Sequence, residues 1–201
     1  MLITIEGIDG VGKSTQVQLL AAYLKERGFS VTSLREPTGG YWGRKIRNLT
    51  KQGRTASPEE ECQWFLMDRM EDVEKNIKPA LDDGHIVIMD RYYYSTMAYQ
   101  GALGLDVEKI RSENEKFAPK PDLVIILDVS PETGLKRITE GRKEKLNYFE
   151  TLEYQRRVRK IFLSMKVLDN VKIIDAGGTQ NEVSEKIRRV VEELIGPAFD
   201  G

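Results

Sequence analysis

The amino-acid sequence predicts an α/β fold, a five-stranded parallel sheet with helices on both faces. Three observations predict it. Five short β-rich segments are spread along the 201 residues, and stretches of helical period lie between them. Three of the segments are almost wholly apolar, the pattern of strands covered on both faces. Strands that alternate with helices imply right-handed crossovers and therefore parallel pairing.

The elements follow in order. Leu2–Ile5 is the first strand. Val17, Leu20, Ala21 and Leu24 recur at steps of three and four, so a helix runs here, with Gly28 as its C-cap. Ser30–Leu34 is the second strand. Ser57-Pro58-Glu59 opens another helix, with Ser as N-cap, Pro at the first helical position and acids in the first turn. Ile86–Met89 and Leu123–Leu127 are the third and fourth strands. Glu140–Tyr148 lacks an apolar stripe and reads from composition as a solvated, charged loop. Val171–Ile174 is the fifth strand, and Val183, Ile187, Val190, Val191 and Leu194 mark a last amphipathic helix. There is no internal repeat, low-complexity tract or long linker, so residues 1–201 read as a single domain.

Composition narrows the class. Lys plus Arg is 31 against 32 for Asp plus Glu, a net charge of −1, which gives no bulk field for nucleic acid or an acidic membrane. The single cysteine, Cys62, rules out an internal disulfide and fits a reducing compartment. The longest apolar runs fall far short of the ~20 residues of a membrane helix. Glu6 and Gly7 interrupt the first apolar run, so no signal peptide is expected. A soluble, cytoplasmic protein is the expectation.

Gly7-Ile8-Asp9-Gly10-Val11-Gly12-Lys13-Ser14 fits G-x-x-x-x-G-K-[ST] at every fixed position, after a strand and ahead of a helix. The glycines let successive backbone N–H groups turn inward around an anion, and the helix adds the positive end of its dipole. Lys13 supplies a charge for the β- and γ-phosphates, and the Ser14 hydroxyl can ligate Mg²⁺. The motif predicts a bound Mg–nucleoside triphosphate. A guanine-reading Asn-Lys-x-Asp stretch is missing, which argues against a GTPase.

A small-molecule kinase needs a second site, for its acceptor. Asp90-Arg91-Tyr92 stands at the carboxyl end of the third strand, the edge where open α/β sheets bind ligands, and Arg35-Glu36-Pro37 ends the second strand likewise. Phe65 and Arg69 lie four apart and share a helix face. Tyr92, Tyr93, Tyr94 and Tyr99 crowd together with Ser95, Thr96 and Gln100, a mixture suited to a nucleobase and sugar, although the first three cannot all face a ligand. Asp9 could instead cap the loop's own amides, Asp90 could pair with Arg91 or stand near Mg²⁺, and Arg35 could be structural. His85 has no metal partner at suitable spacing.

The stretches Glu6–Thr15, Arg35–Pro37, Phe65–Arg69, Asp90–Tyr92, Ser95–Gly101, Pro121–Leu123, Leu127–Glu132 and Gln155–Arg159 together resemble thymidylate kinase, in order over most of the chain. The resemblance implies the three-layer architecture of P-loop kinases with a short lid, and phosphoryl transfer from Mg-ATP to dTMP, giving dTDP for dTTP synthesis. It implies that Gly7, Ile8, Asp9, Gly10, Val11, Gly12, Lys13, Ser14 and Thr15 cradle ATP, with Arg137 against adenine. Phe65 would stack on thymine and Arg69 would donate to a thymine carbonyl, with Thr96 and Gln100 at the base edge. Tyr99 would close the space beneath the sugar C2′, Arg91 would grip the acceptor phosphate, and Asp9 would face the sugar and phosphate end with Arg35 near it. Ser14 and Asp90 would serve Mg²⁺. The lid is best matched by Gly141–Tyr148. Some relatives carry a basic residue inside the phosphate loop, where this chain has Gly10 and Val11, so a lid cation is expected; Arg142 is the candidate, beside Lys143 and Lys145. Asn147-Tyr148 departs from the Asp-Arg common in relatives. Ala176, in the turn after the last strand, could admit the adenine edge. A homodimer is implied as well. Two other readings stay open: a kinase for another pyrimidine monophosphate, and a non-catalytic nucleotide-binding module.

Overall fold

The computed structural model of the chain describes residues 1–52, 55–141 and 151–196. Its centre is a sheet of β1 (Leu2–Glu6), β2 (Val31–Arg35), β3 (Ile86–Asp90), β4 (Leu123–Asp128) and β5 (Val171–Asp175). The strand order is β2-β3-β1-β4-β5 and every pair is parallel. All residues of β1 and β3 are buried, so these strands are covered on both faces. Each Ile or Val side chain so enclosed stabilises the fold by roughly 1.5–3 kcal/mol.

The helices are α1 (Lys13–Glu26), α2 (Tyr41–Gln52), α3 (Pro58–Asp72), α4 (Lys78–Asp82), α5 (Tyr93–Gly101), α6 (Val107–Glu115), α7 (Pro131–Gly141), α8 (Leu152–Ser164) and α9 (Gln180–Ile195). Their ends follow local chemistry. Ser57 and Glu60 form a reciprocal capping box at the start of α3, and Thr179 and Glu182 do the same for α9. Past the end of α1, Gly28 takes φ 85° and its N–H donates to the Lys25 carbonyl, the left-handed stop expected there.

Each strand runs one residue further than its apolar pattern, and that extra residue is polar every time: Glu6, Arg35, Asp90, Asp128 and Asp175. All five lie at the carboxyl edge of the sheet, where ligands of open α/β sheets bind. The loop after β1 therefore opens at the centre of that edge, between β3 and β4. Among the described residues no helix is long and apolar enough to cross a membrane.

Candidate active site

The loop between β1 and α1 is held by close packing. Gly7, Gly10 and Gly12 all have positive φ, at 134°, 76° and 100°. A Cβ on Gly7 would stand 2.4 Å from the Leu127 carbonyl oxygen, and one on Gly10 would stand 2.1 Å from that of Gly134 in the first turn of α7. Gly134 is equally constrained, since its own Cβ would meet the Asp9 oxygen at 2.6 Å. A side chain at position 10 would require the loop or α7 to shift, so in this arrangement that position carries no cation.

Lys13, buried at the start of α1, donates to the Gly7 and Ile8 carbonyl oxygens at 3.0 and 2.8 Å. Burial, and then the nearby Arg91 cation, push its ammonium down to about 7, with Asp9, Asp90 and Glu6 opposing. A polyphosphate would favour the charged form. Ser14 Oγ donates to Asp90 Oδ2, and Arg35 Nε lies 3.7 Å from the same carboxylate at the open edge of the site. Ser14 and Asp90 thus offer hard oxygens of the kind Mg²⁺ takes. Among the described residues no three His, Cys, Asp or Glu side chains gather to enclose a metal, so any cation here would share its shell with phosphate and water.

Arg91 follows β3 with φ 73°, a left-handed conformation that costs a residue with a Cβ roughly 1–3 kcal/mol. Its guanidinium pairs with Asp9, reaches Ser95 Oγ at 3.1 Å and Tyr99 Oη at 3.4 Å, and lies 5.1 Å above the Tyr99 ring. Asp9 also accepts from Gln155 Nε2 at 3.1 Å. Burial raises the Asp9 carboxyl, but Arg91 and Lys13 hold it below the usual range, so it stays ionised between two cations. Asp9 therefore joins Arg91 rather than capping its own loop.

A second cluster centres on Arg69, which is 1% exposed. Its Nε and Nη2 donate to Glu36, its Nη1 to Asn114 Oδ1 at 2.6 Å, and its Nη2 also to Thr96 Oγ1 at 3.2 Å. Burial pushes the Glu36 carboxyl up to about 8, against the pull of Arg69. Gln100 Nε2 donates to buried Glu61 at 3.3 Å. Phe65 is half-buried one turn ahead of Arg69 on α3. Helix α5 links the two clusters. Ser95 and Tyr99 serve Arg91, while Thr96 and Gln100, one position on, serve the Arg69 side.

Arg137 of α7 donates to the Ala176 carbonyl at 3.1 Å and approaches that of Val11 at 3.5 Å, so the two residues expected beside adenine meet. Thr15 is half-buried on α1. Of the tyrosine run, Tyr92, Tyr93 and Tyr94 are all core, at 0%, 0% and 1% exposure; the Tyr92 ring lies 5.3 Å from the Arg69 guanidinium, and Tyr99 lies beneath Arg91. Arg142 and all of the expected lid after Gly141 lie outside the described residues. Sequence reasoning assigned no role to Glu6, Glu36, Asn114 or Gln155. An acid ending an otherwise apolar strand was the one signal that could have marked Glu6.

A family model described as thymidylate kinase matches residues 5–187. The chain is 47% identical over 195 residues to a probable thymidylate kinase of Archaeoglobus fulgidus, covering 97% of this chain and 96% of that protein. It is 45% identical to the thymidylate kinase of Desulfotalea psychrophila, with coverage of 96% and 95%. To a probable thymidylate kinase of Thermococcus kodakarensis it is 41% identical, with coverage of 98% and 99%.

Proposed function

The chain belongs to the thymidylate kinase family, and on that premise we propose that it transfers the γ-phosphoryl group of Mg-ATP to dTMP, giving ADP and dTDP. The observation that carries this reading is the double service of α5. Its adjacent stripes bond Arg91 on one side and Arg69 on the other, an arrangement that supports a phosphate-binding and a base-reading arginine on one helix.

In this reading the loop N–H groups and Lys13 hold the donor phosphates, and Arg91 holds the acceptor phosphate, oriented by Asp9, Ser95 and Tyr99. The P–O bond to the leaving ADP breaks as one forms to an oxygen of dTMP, so the protein's task is positioning and charge neutralisation. Mg²⁺, held with ATP by Ser14 and Asp90, would supply further neutralisation of the transferring group. Phe65 stacks on thymine, Arg69 donates to its carbonyl, and Thr96 and Gln100 line the base edge. Tyr99 walls off C2′, and Arg35 borders the sugar and phosphate end. Arg137 and Ala176 flank adenine, and Arg142 brings the lid cation that Gly10 cannot. The same reading makes the chain a cytoplasmic homodimer. Mass in solution tests the homodimer.

The experiment is ADP release with Mg-ATP across dTMP, dUMP, UMP, CMP and dCMP. Turnover greatest on dTMP, with equal amounts of ADP and dTDP, is expected. A different preferred pyrimidine would overturn the substrate assignment, and nucleotide binding without turnover of any would leave a binding module.

A further inference from the structure

We propose that Glu6 is a positioning residue for Arg91, its carboxylate holding the turn that carries that arginine through the Tyr92 N–H and its guanidinium through Ser95. Glu6 is fully buried at the end of β1, among apolar strands, where an ionisable group is unfavourable unless its oxygens are bonded. Both oxygens go to the turn that carries Arg91. One accepts the Tyr92 N–H at 2.7 Å and the other accepts the Ser95 hydroxyl at 2.5 Å. Ser95 Oγ in turn accepts from Arg91 Nη1 at 3.1 Å, so a chain of hydrogen bonds runs from β1 through Ser95 to the guanidinium.

The backbone tells the same story. β1 and β3 pair as far as Ile5 and Asp90, and the Arg91 N–H donates to the Ile5 carbonyl at 3.1 Å. The chain then turns through the left-handed conformation at Arg91 into α5. The next N–H, that of fully buried Tyr92, lies beyond the ladder and takes a side-chain oxygen as its acceptor. An apolar residue at position 6 would leave that N–H without its partner, and the turn without its hold. Burial pushes the Glu6 carboxyl up to about 7 even with Ser95, Arg91, Tyr92 and Lys13 drawing it down, which accords with a group kept for its contacts rather than for its own stability.

The proposal rests on the reading of Arg91 as the acceptor-phosphate ligand, and the test separates the two. Wild type, Glu6→Ala, Glu6→Gln and Ser95→Ala are compared for thermal midpoint, for ATP affinity without acceptor, and for kcat and KM with dTMP. Glu6→Ala should lower kcat/KM for dTMP by about 10²-fold, the scale of a misplacement near 1 Å. ATP affinity should fall far less than kcat/KM, within about threefold, because the two Glu6 oxygens bond the Tyr92 N–H and Ser95 rather than the loop amides or Lys13. Glu6→Gln keeps an oxygen for the Tyr92 N–H and should recover most of the loss. A folded Glu6→Ala enzyme with kcat/KM within about twofold of wild type would overturn the proposal. So would equal losses in ATP affinity and in kcat/KM, or a lowered midpoint with kinetics unchanged, since simple capping of α5 predicts that. If Glu6→Ala does not fold, Ser95→Ala decides. It removes the Ser95 hydroxyl that bridges Glu6 and the guanidinium while keeping the Glu6 bond to the Tyr92 N–H, and should raise KM for dTMP about fivefold or more; an unchanged KM contradicts the clamp. A wild-type protein without dTMP turnover removes the reading of Arg91 itself, and the clamp with it.

Discussion

Arg69 lies on an acid-rich helix, where an arginine is ordinarily a solvated charge, yet it is buried and its guanidinium is fixed from several directions. Its place four residues after Phe65 was legible as helical spacing. Its partners were not, because Glu36 and Asn114 are 33 and 45 residues away in sequence and only the fold brings them together. Truncating one member of a buried ion pair leaves the other charge uncompensated. Glu36→Ala should therefore lower stability by about 3–5 kcal/mol, read from denaturant unfolding. A loss below about 1 kcal/mol would mean that the pair behaves as an exposed one. Tyr99 invites a second prediction at this scale. Its ring is wedged edge-on against Tyr154 and Phe162 and lies beneath Arg91. If the ring walls off C2′, discrimination against ribose is steric. Tyr99→Ala should then raise the efficiency on ribothymidine monophosphate relative to dTMP, while Tyr99→Phe, which keeps the ring, should leave the ratio unchanged. A ratio that moves equally in both variants would assign the effect to the hydroxyl.

At the scale of elements, the strands were readable because apolar runs mark a sheet covered on both faces. The same rule stopped each of them one residue early at the carboxyl end, and began the second one residue too soon, at Ser30. Hydropathy stops at Glu6, Arg35, Asp90, Asp128 and Asp175, the polar residues that the sheet presents at its ligand edge. The tyrosine run was only partly legible. Composition shows that Tyr92, Tyr93 and Tyr94 cannot all face a ligand but not which pack inward, and all three fall in the core. The contact of the phosphate loop with α7 had no legible signal at all, since Gly134 looks like any helical glycine. That contact yields a prediction. Gly134→Ala places a methyl group against the Asp9 carbonyl, at 2.6 Å without adjustment, so the loop must shift. Overpacking of this kind costs typically 1–3 kcal/mol. A weakened ATP affinity and a lowered melting midpoint are expected together, and an unchanged ATP affinity would show that the loop adapts freely. The glycine at position 10 also bears on the lid. With no cation there, Arg142→Ala should lower kcat at least ~10-fold with dTMP affinity nearly unchanged, as for a donor that acts in the transition state. If Lys143→Ala or Arg137→Ala does this and Arg142→Ala does not, the cation has been assigned to the wrong residue.

Over the whole molecule, three groups of side chains stand around one sheet edge: Arg137 with Ala176, Lys13 and Arg91 about Asp9, and Arg69 with its buried partners. In the proposed reading their order follows a donor nucleotide, two sets of phosphates and an acceptor nucleoside. The central claim is that these groups form one continuous site in which the two phosphate ends face each other across Asp9. A compound with adenosine and thymidine joined through a chain of five phosphates tests it without depending on any rate. Measured by titration calorimetry in Mg²⁺, it should bind at least ~10²-fold more tightly than ATP or dTMP alone, because joining two ligands makes the second binding event intramolecular. It should displace both nucleotides, and Lys13→Ala and Arg91→Ala should each weaken it. Displacement of only one nucleotide, or an affinity no better than that of the tighter single nucleotide, would show that the two phosphate sites do not meet and would contradict the account.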